Sequence, residues 1–311
     1  MQYTQLGRTG LRVSVLGLGG GGHSRLGQQT GRSADQSVAV VQRALALGVN
    51  FFDTAEAYRT EELVGSGLRG VPRDQVVIST KKSPTANGQP ISAAELRSAL
   101  EGSLQRLGIE YVDIYHLHGV RENQYDRAVE ELVPEMLRLR EQGKLRFLGI
   151  TEAFGADTGH AMLSRAVHDD WWDVVMVGFN ILNQTARERV LATTQRRKIG
   201  TLCMFAVRDA LSRPAKLAET VEQLLQNGRL DASAIDTHDP LGFVREVAAS
   251  MPDAAYRFCR AEAGLDVILS GTGSVEHLEQ NVKSVLAPPL PADVHQRLVA
   301  LFEGIDTVSG Q

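Results

Sequence analysis

Short β-branched runs alternate with amphipathic stretches along almost the whole chain, and no other feature restricts its fold as much. The runs that read as strands are 15–19, 50–53, 76–80, 112–117, 147–151, 174–178, 200–204 and 267–270. Between and after them lie helical patterns at 33–47, 61–69, 92–107, 126–142, 156–167, 185–197, 252–263 and 275–286. Several helices carry start and stop signals. Ser92 with Glu95 is a capping box, Leu96, Leu100, Leu104 and Leu107 recur at helical spacing, and Gly108 suits a left-handed end. Ser33 with Gln36, ending at Gly48, repeats the pattern. Strands alternating with helices imply parallel pairing and right-handed crossovers. Eight such units predict an α/β fold of the (β/α)8 TIM-barrel type.

The same count decides the domain question. A length of 311 residues suggests about two domains at first sight. Eight units use up nearly all of it, so one barrel domain over 1–311 is expected. Residues 1–14 read as a β-hairpin ahead of the barrel, turning at Gly7-Arg8-Thr9-Gly10. The stretch 208–242 reads as a long irregular excursion that shapes a substrate pocket, and 287–311 as a C-terminal segment.

Charge narrows the partners. There are 33 Lys and Arg against 37 Asp and Glu, a formal net charge of −4, and no basic stripe, so nucleic acid is not expected. No apolar stretch approaches the ~18 residues needed to span a bilayer. The opening residues lack the basic and apolar parts of a signal peptide, so a cytoplasmic location is expected. Cys203 and Cys259, far apart in apolar segments, read as free thiols in a reducing compartment.

Glycine is concentrated near the start, with nine of 30 in the first 31 residues. Gly17, Gly19 and Gly22 make a formal G-x-G-x-x-G after a strand. A dinucleotide fingerprint must also open a helix and place an acid after a second strand. Here the next residues are loop, and Asp35 lies inside a helix, so a Rossmann site is not expected. What remains is close backbone approach to a ligand at a strand's C-terminal end, with Gly20 and Gly21 in place for it. His116-Leu117-His118 is an H-x-H pair on a strand. A metal site would need more ligands at other strand ends, which carry no histidine; no metal is expected.

Asp53 ends one strand and Tyr58 follows in its loop; Lys81 and Lys82 end the next strand, and His118 ends the one after. Asp, Tyr, Lys and His thus gather at the C-terminal ends of three consecutive strands, where barrels concentrate their chemistry. With the opening Leu6–Ser14 stretch, Asp53-Thr54-Ala55 followed by Glu61 and Gly65, Asp113 to His118, and Gly149-Ile150-Thr151-Glu152, the chain resembles the aldo-keto reductase superfamily over essentially its full length.

The resemblance implies an NAD(P)(H)-dependent oxidoreductase acting on an aldehyde or ketone, or in reverse on an alcohol or sugar hydroxyl, as a monomer or small homo-oligomer. Tyr58 is the implied general acid/base, Lys81 and Asp53 tune it, and His118 orients the carbonyl. A phenol of pKa about 10 is a poor acid/base near neutrality, and an adjacent ammonium corrects this. Alternation along the strand lets only one of Lys81 and Lys82 point inward, and the resemblance favours Lys81. It places NADP(H) or NAD(H) across the mouth, approached by Gly20 and Gly21. Thr151 and Glu152 would lie near the carboxamide, with Gly271-Thr272-Gly273 through Asn281 around the adenosine phosphate, and Arg208 in reach of the diphosphate. Five positions depart from the family's pattern. Met176 stands for a carboxamide-binding glutamine, and Met204 or Phe205 for the aromatic that stacks on nicotinamide. Gly271 and His277 stand for the Lys/Arg pair that grips a 2′-phosphate, which argues against strong NADP preference. Gln280 replaces a residue often acidic, while Asn281 matches. The superfamily also includes non-catalytic regulatory subunits that sense the nucleotide, the alternative function for this chain.

Overall fold

In the computed structural model, which describes residues 1–233, 235–237 and 239–311, the expected alternation becomes a closed barrel. Strands β1 (Tyr3–Gln5) and β2 (Arg12–Ser14) form an antiparallel hairpin. The barrel strands begin with β3 (Leu16–Gly19), β4 (Phe51–Asp53) and β5 (Val77–Lys82). A small hairpin, β6 (Thr85–Ala86) and β7 (Gln89–Pro90), intervenes. The barrel resumes with β8 (Val112–Val120), β9 (Leu145–Glu152), β10 (Val174–Gly178), β11 (Gly200–Met204) and β12 (Val267–Ser270). Neighbours pair in parallel, and β12 closes on β3 through Ile268 with Leu16 and Ser270 with Leu18. The helices are α1 (Ala34–Ala46), α2 (Glu61–Gly67), α3 (Ala93–Leu107), α4 (Tyr125–Glu141), α5 (Ala161–Ala166), α6 (Ala192–Arg197), α7 (Asp209–Ser212), α8 (Pro214–Gln226), α9 (Met251–Ala261), α10 (Val275–Leu286) and α11 (Ala292–Leu301). This is the (β/α)8 barrel that the periodicity predicts.

Side-chain alternation builds two cores. Phe51, Val77, Ile114, Val174, Met176, Leu202 and Val267 point inward and fill the barrel. Their neighbours Phe52, Ile78, Tyr115, Val175, Cys203 and Ile268 point outward and pack with the helices. The N-terminal hairpin stoppers the lower end, where Leu6, Leu11 and Val13 join the interior cluster. Its turn docks without room for a side chain: a Cβ on Gly7 (φ +46°) would lie 2.2 Å from the Gly200 nitrogen. The capping boxes form as expected; the Ser92 hydroxyl accepts from the Glu95 N–H, and the Glu95 carboxylate accepts from the Ser92 N–H.

Three expectations need correction. The 208–242 excursion is not irregular throughout, because it carries α7 and α8. Leu217, Val221 and Leu224 are buried at helical spacing behind Pro214, which starts α8; that spacing was the signal. Residues 234 and 238 of the excursion lie outside the described residues. Helix α5 starts at Ala161 rather than near 156, because the Asp157 carboxylate accepts from the N–H groups of Ala161 and Met162 and His160 is left-handed (φ +60°). The 185–197 pattern splits into a π-turn, Arg187–Leu191, and α6. Cys203 and Cys259 are free and buried as expected, but they are neighbours in space: their Sγ atoms lie 3.5 and 3.6 Å from the same carbonyl, Phe179 O. Among the described residues no helix is long and apolar enough to cross a membrane.

Candidate active site

The inward positions at the upper end of the barrel carry the polar residues. On β4, Phe51 faces in, Phe52 faces out, and Asp53 faces in again. On β5 the inward set is Val77, Ser79 and Lys81. Lys81 is fully buried, and its Nζ donates to Asp53 Oδ2 at 2.6 Å and to the Thr54 carbonyl at 2.8 Å. Ser79 Oγ donates to the other Asp53 oxygen at 2.9 Å. Lys82 faces away and pairs with Glu56 at 2.5 Å. Of the two, Lys81 is the one that points into the barrel beside Asp53.

Tyr58 sits in a single turn, Glu56–Tyr58, that follows β4. Its ring lies 5.0 Å from Lys81 Nζ, and its hydroxyl lies 3.1 Å from His118 Nε2. The two rings meet edge to face at 5.3 Å and 88°. Asp53, Tyr58, Lys81 and His118 are therefore one contiguous cluster. Burial raises the Asp53 carboxyl, in part offset by Lys81. Burial opposes the Lys81 charge, but Asp53 and the Tyr58 oxygen outweigh it and hold the ammonium above its ordinary range. His118 is pushed down to about 3, first by burial and then by the Lys81 charge, so its imidazole is neutral at physiological pH. His116 also faces inward, one layer deeper. Its ring takes the space beside Gly149, where a Cβ would lie 2.2 Å from Nδ1.

The glycines at the end of β3 approach protein, not open space. A Cβ on Gly21 would lie 2.6 Å from the Tyr58 ring, and one on Gly20 would lie 2.6 Å from Thr60 Oγ1. Their backbone forms one wall around the phenol. Across the mouth, Met204 points into the barrel beside Met176, which is buried at the top of β10. Phe205 is left-handed (φ +66°) and turns its ring to Phe154. The Arg208 guanidinium lies 3.8 Å over the Phe205 ring and has no hydrogen-bond or ion-pair partner among the described residues. A Cβ on Gly22 would sit 3.7 Å from its Nη1, so Arg208 reaches across the mouth toward the β3 loop.

Thr151 is buried, and its Oγ1 accepts from the Gly119 N–H at 2.7 Å. Glu152 departs from expectation. Its carboxylate is fully buried, accepts from the Gly178 N–H at 2.7 Å, and lies 3.0 Å from His160 Nδ1 through both oxygens. It offers no open edge to a ligand. At the end of β12, Gly271 lies against the Gly19 and Gly21 carbonyls, and a Cβ on Gly273 would lie 2.3 Å from Gly27 Cα. The Thr272 hydroxyl accepts from the Ser274 N–H, and Ser274 caps α10 at the His277 N–H. His277 and Gln280 are exposed on α10, while Asn281 turns inward and donates to Ser270 Oγ at 2.9 Å.

These surfaces fit a nicotinamide dinucleotide. The 19–22 backbone packs on Tyr58 and Thr60 and meets the 271–273 turn, and Arg208, near Gly22, has no anionic partner among the described residues. Sequence reasoning missed Ser79, whose place two residues before Lys81 on the same face was a usable signal. It also missed His160 and Phe154, which lie off the strand-end pattern and gave none.

A model of the aldo/keto reductase family matches residues 16–303. L-galactose dehydrogenase of Arabidopsis thaliana is 41% identical over 157 residues, covering 49% of this chain and 48% of that protein. The chain therefore spans about half the length of that relative. The protein named "Probable aldo-keto reductase 1" of Glycine max is 26% identical over 98% of this chain and 89% of its own length. Among solved structures, the holo form of aldo-keto reductase AKR11C1 from Bacillus halodurans superposes with a TM-score of 0.74 at 23% identity, covering 98% of this chain and 97% of that one.

Proposed function

Because the chain belongs to the aldo/keto reductase family, we propose that it is an oxidoreductase that interconverts a carbonyl and an alcohol with Tyr58 as the proton donor and acceptor. The observation that carries this reading is the Tyr58 hydroxyl, 3.1 Å from a neutral His118 and backed by the buried Lys81–Asp53 pair. A nicotinamide dinucleotide supplies or accepts the hydride when bound. In the reductive direction Tyr58 gives its proton to the carbonyl oxygen. Lys81 stabilises the phenolate left behind, and Asp53 keeps Lys81 charged and in place. His118 donates a hydrogen bond to the same oxygen and fixes which edge of the substrate faces Tyr58. The oxidative direction runs these steps in reverse.

Gly20, Gly21, Gly271, Thr272 and Gly273 would supply backbone around the dinucleotide, with Arg208 at its phosphates and Met176, Met204, Phe205 and Thr151 lining the nicotinamide end. Asn281 and the exposed His277 and Gln280 border the adenosine end. Neither Gly271 nor His277 offers a guanidinium to a 2′-phosphate, so NADPH should bind less than about tenfold more tightly than NADH, or 1.4 kcal/mol.

Turnover tests the reading. Purified protein is titrated with both reduced dinucleotides, then assayed on a panel of aldehydes and ketones and, with the oxidised forms, on sugars including L-galactose, after the name of the Arabidopsis relative. Tyr58→Phe should lower kcat at least about a hundredfold and leave dinucleotide affinity within about twofold. Undiminished kcat in that variant rules out the mechanism. Dinucleotide binding with no turnover of any compound would instead assign the nucleotide-sensing role.

A further inference from the structure

Two buried ionisable residues stand behind the mouth and take no part in the proton transfer. Glu152 ends β9, His160 precedes α5, and both side chains have 0% exposure. A buried carboxylate is costly unless its oxygens are bonded, and here His160 and the Gly178 N–H bond them. His160 holds this place in a left-handed conformation, φ +60°, unusual for a residue with a side chain. Its ring stacks on Phe154 at 5.2 Å and 15°. Phe154 in turn fills the space over Gly178, where a Cβ would lie 2.2 Å from the ring. It then meets Phe205 edge to face at 5.3 Å and 89°.

Phe205 is the second left-handed residue of this group, at φ +66°, and Asn180 Nδ2 donates to its carbonyl at 3.2 Å. Arg208 rests on its ring at 3.8 Å. A continuous chain of ring contacts therefore runs from a sealed carboxylate to the Arg208 guanidinium at the mouth. Sparsely populated backbone conformations persist where the surroundings over-determine them, and they gather at ligand sites.

We propose that Glu152 and His160 are positioning residues for the dinucleotide: the carboxylate locks the imidazole, the imidazole sets Phe154, and Phe154 holds Phe205 and Arg208 in their binding geometry. This rests on the reading of Phe205 and Arg208 as cofactor contacts. Glu152 acts through the stack alone, since it presents no free oxygen. A glutamine at 152 preserves the arrangement, because its oxygen accepts from Gly178 and its amide donates to Nδ1 of the other imidazole tautomer.

The test measures NADH affinity by calorimetry, with circular dichroism as the check on folding, and kcat and KM alongside. His160→Leu and Phe154→Leu should each weaken NADH binding about fivefold or more and raise its KM in proportion, with kcat at saturating NADH changed less than about twofold. Glu152→Ala should weaken NADH binding about as much as His160→Leu, and Glu152→Gln should recover most of that loss; a folded Glu152→Ala with wild-type affinity overturns the role of Glu152. If His160→Leu does not fold, Phe154→Leu decides. A folded His160→Leu or Phe154→Leu that binds NADH as wild type does overturns this inference and leaves the proposed function standing. A wild-type protein that binds no dinucleotide overturns both.

Discussion

Lys81 and Lys82 are the same residue side by side, and only the pleat of β5 gives them different work. One enters the barrel and meets Asp53 at 2.6 Å, while the other leaves it and meets Glu56. Period-two alternation was enough to narrow the choice from sequence, because a strand's neighbours cannot share a face. The state of His118 was not legible in this way, since it depends on burial and on a charge brought in from another strand. With that imidazole held down near 3, no histidine ionisation should be seen in catalysis. A plot of kcat/KM against pH should run flat from about pH 5 to 8. An acid limb centred near the ordinary histidine value of about 6.5 would show instead that His118 is charged in the free enzyme. Glu152 marks the other limit of the sequence: its place at a strand end was readable, but its partner His160 lies in an irregular loop whose path no periodicity encodes.

At the scale of elements, the strand–helix units were legible because each repeats a strong local pattern, closed by caps such as Ser92 with Glu95. What failed were element ends set by a single side chain, as with Asp157 at α5, and a helix hidden in a stretch without a following strand, as with α8. The junction between the N-terminal hairpin, β11 and β12 carries a titration of its own. Asp266 accepts from the Thr201 N–H at 3.0 Å, and burial, only partly offset by hydrogen bonds from the Thr201 and Gly7 backbone, lifts its carboxyl to about 6. The unfolded chain ionises this group nearer 3.8. Between those values the folded form holds a proton that the unfolded form has released, so stability is lost as pH rises through the window. The shift corresponds to about 3 kcal/mol. Asp266→Asn removes the titration. Urea unfolding at pH 4 and pH 7 should therefore show wild type losing ground to the variant by a few kcal/mol, and an unchanged gap would count against the assignment.

At the scale of the molecule, the β10 and β11 side of the mouth is braced by residues distant in sequence. Asn183 Nδ2 donates to the carbonyls of Thr158 and Val308, Asn180 Nδ2 donates to Ser309, and the Ala210 N–H donates to Gly310. Asn183→Ala should cost about 2–3 kcal/mol by leaving these carbonyls unmatched, read as a lower urea midpoint with an unchanged slope. None of this bracing is visible in sequence, because it joins segments up to 129 residues apart through single amide groups. The hairpin stopper at the opposite end has a kinetic consequence. On the proposed reading, with Leu6, Leu11 and Val13 packed into the lower rim, both reactants would enter through the upper mouth. On the proposed reading, whichever reactant lies deeper has to arrive first and depart last. Turnover would then follow a queue, with the deeper reactant last to leave.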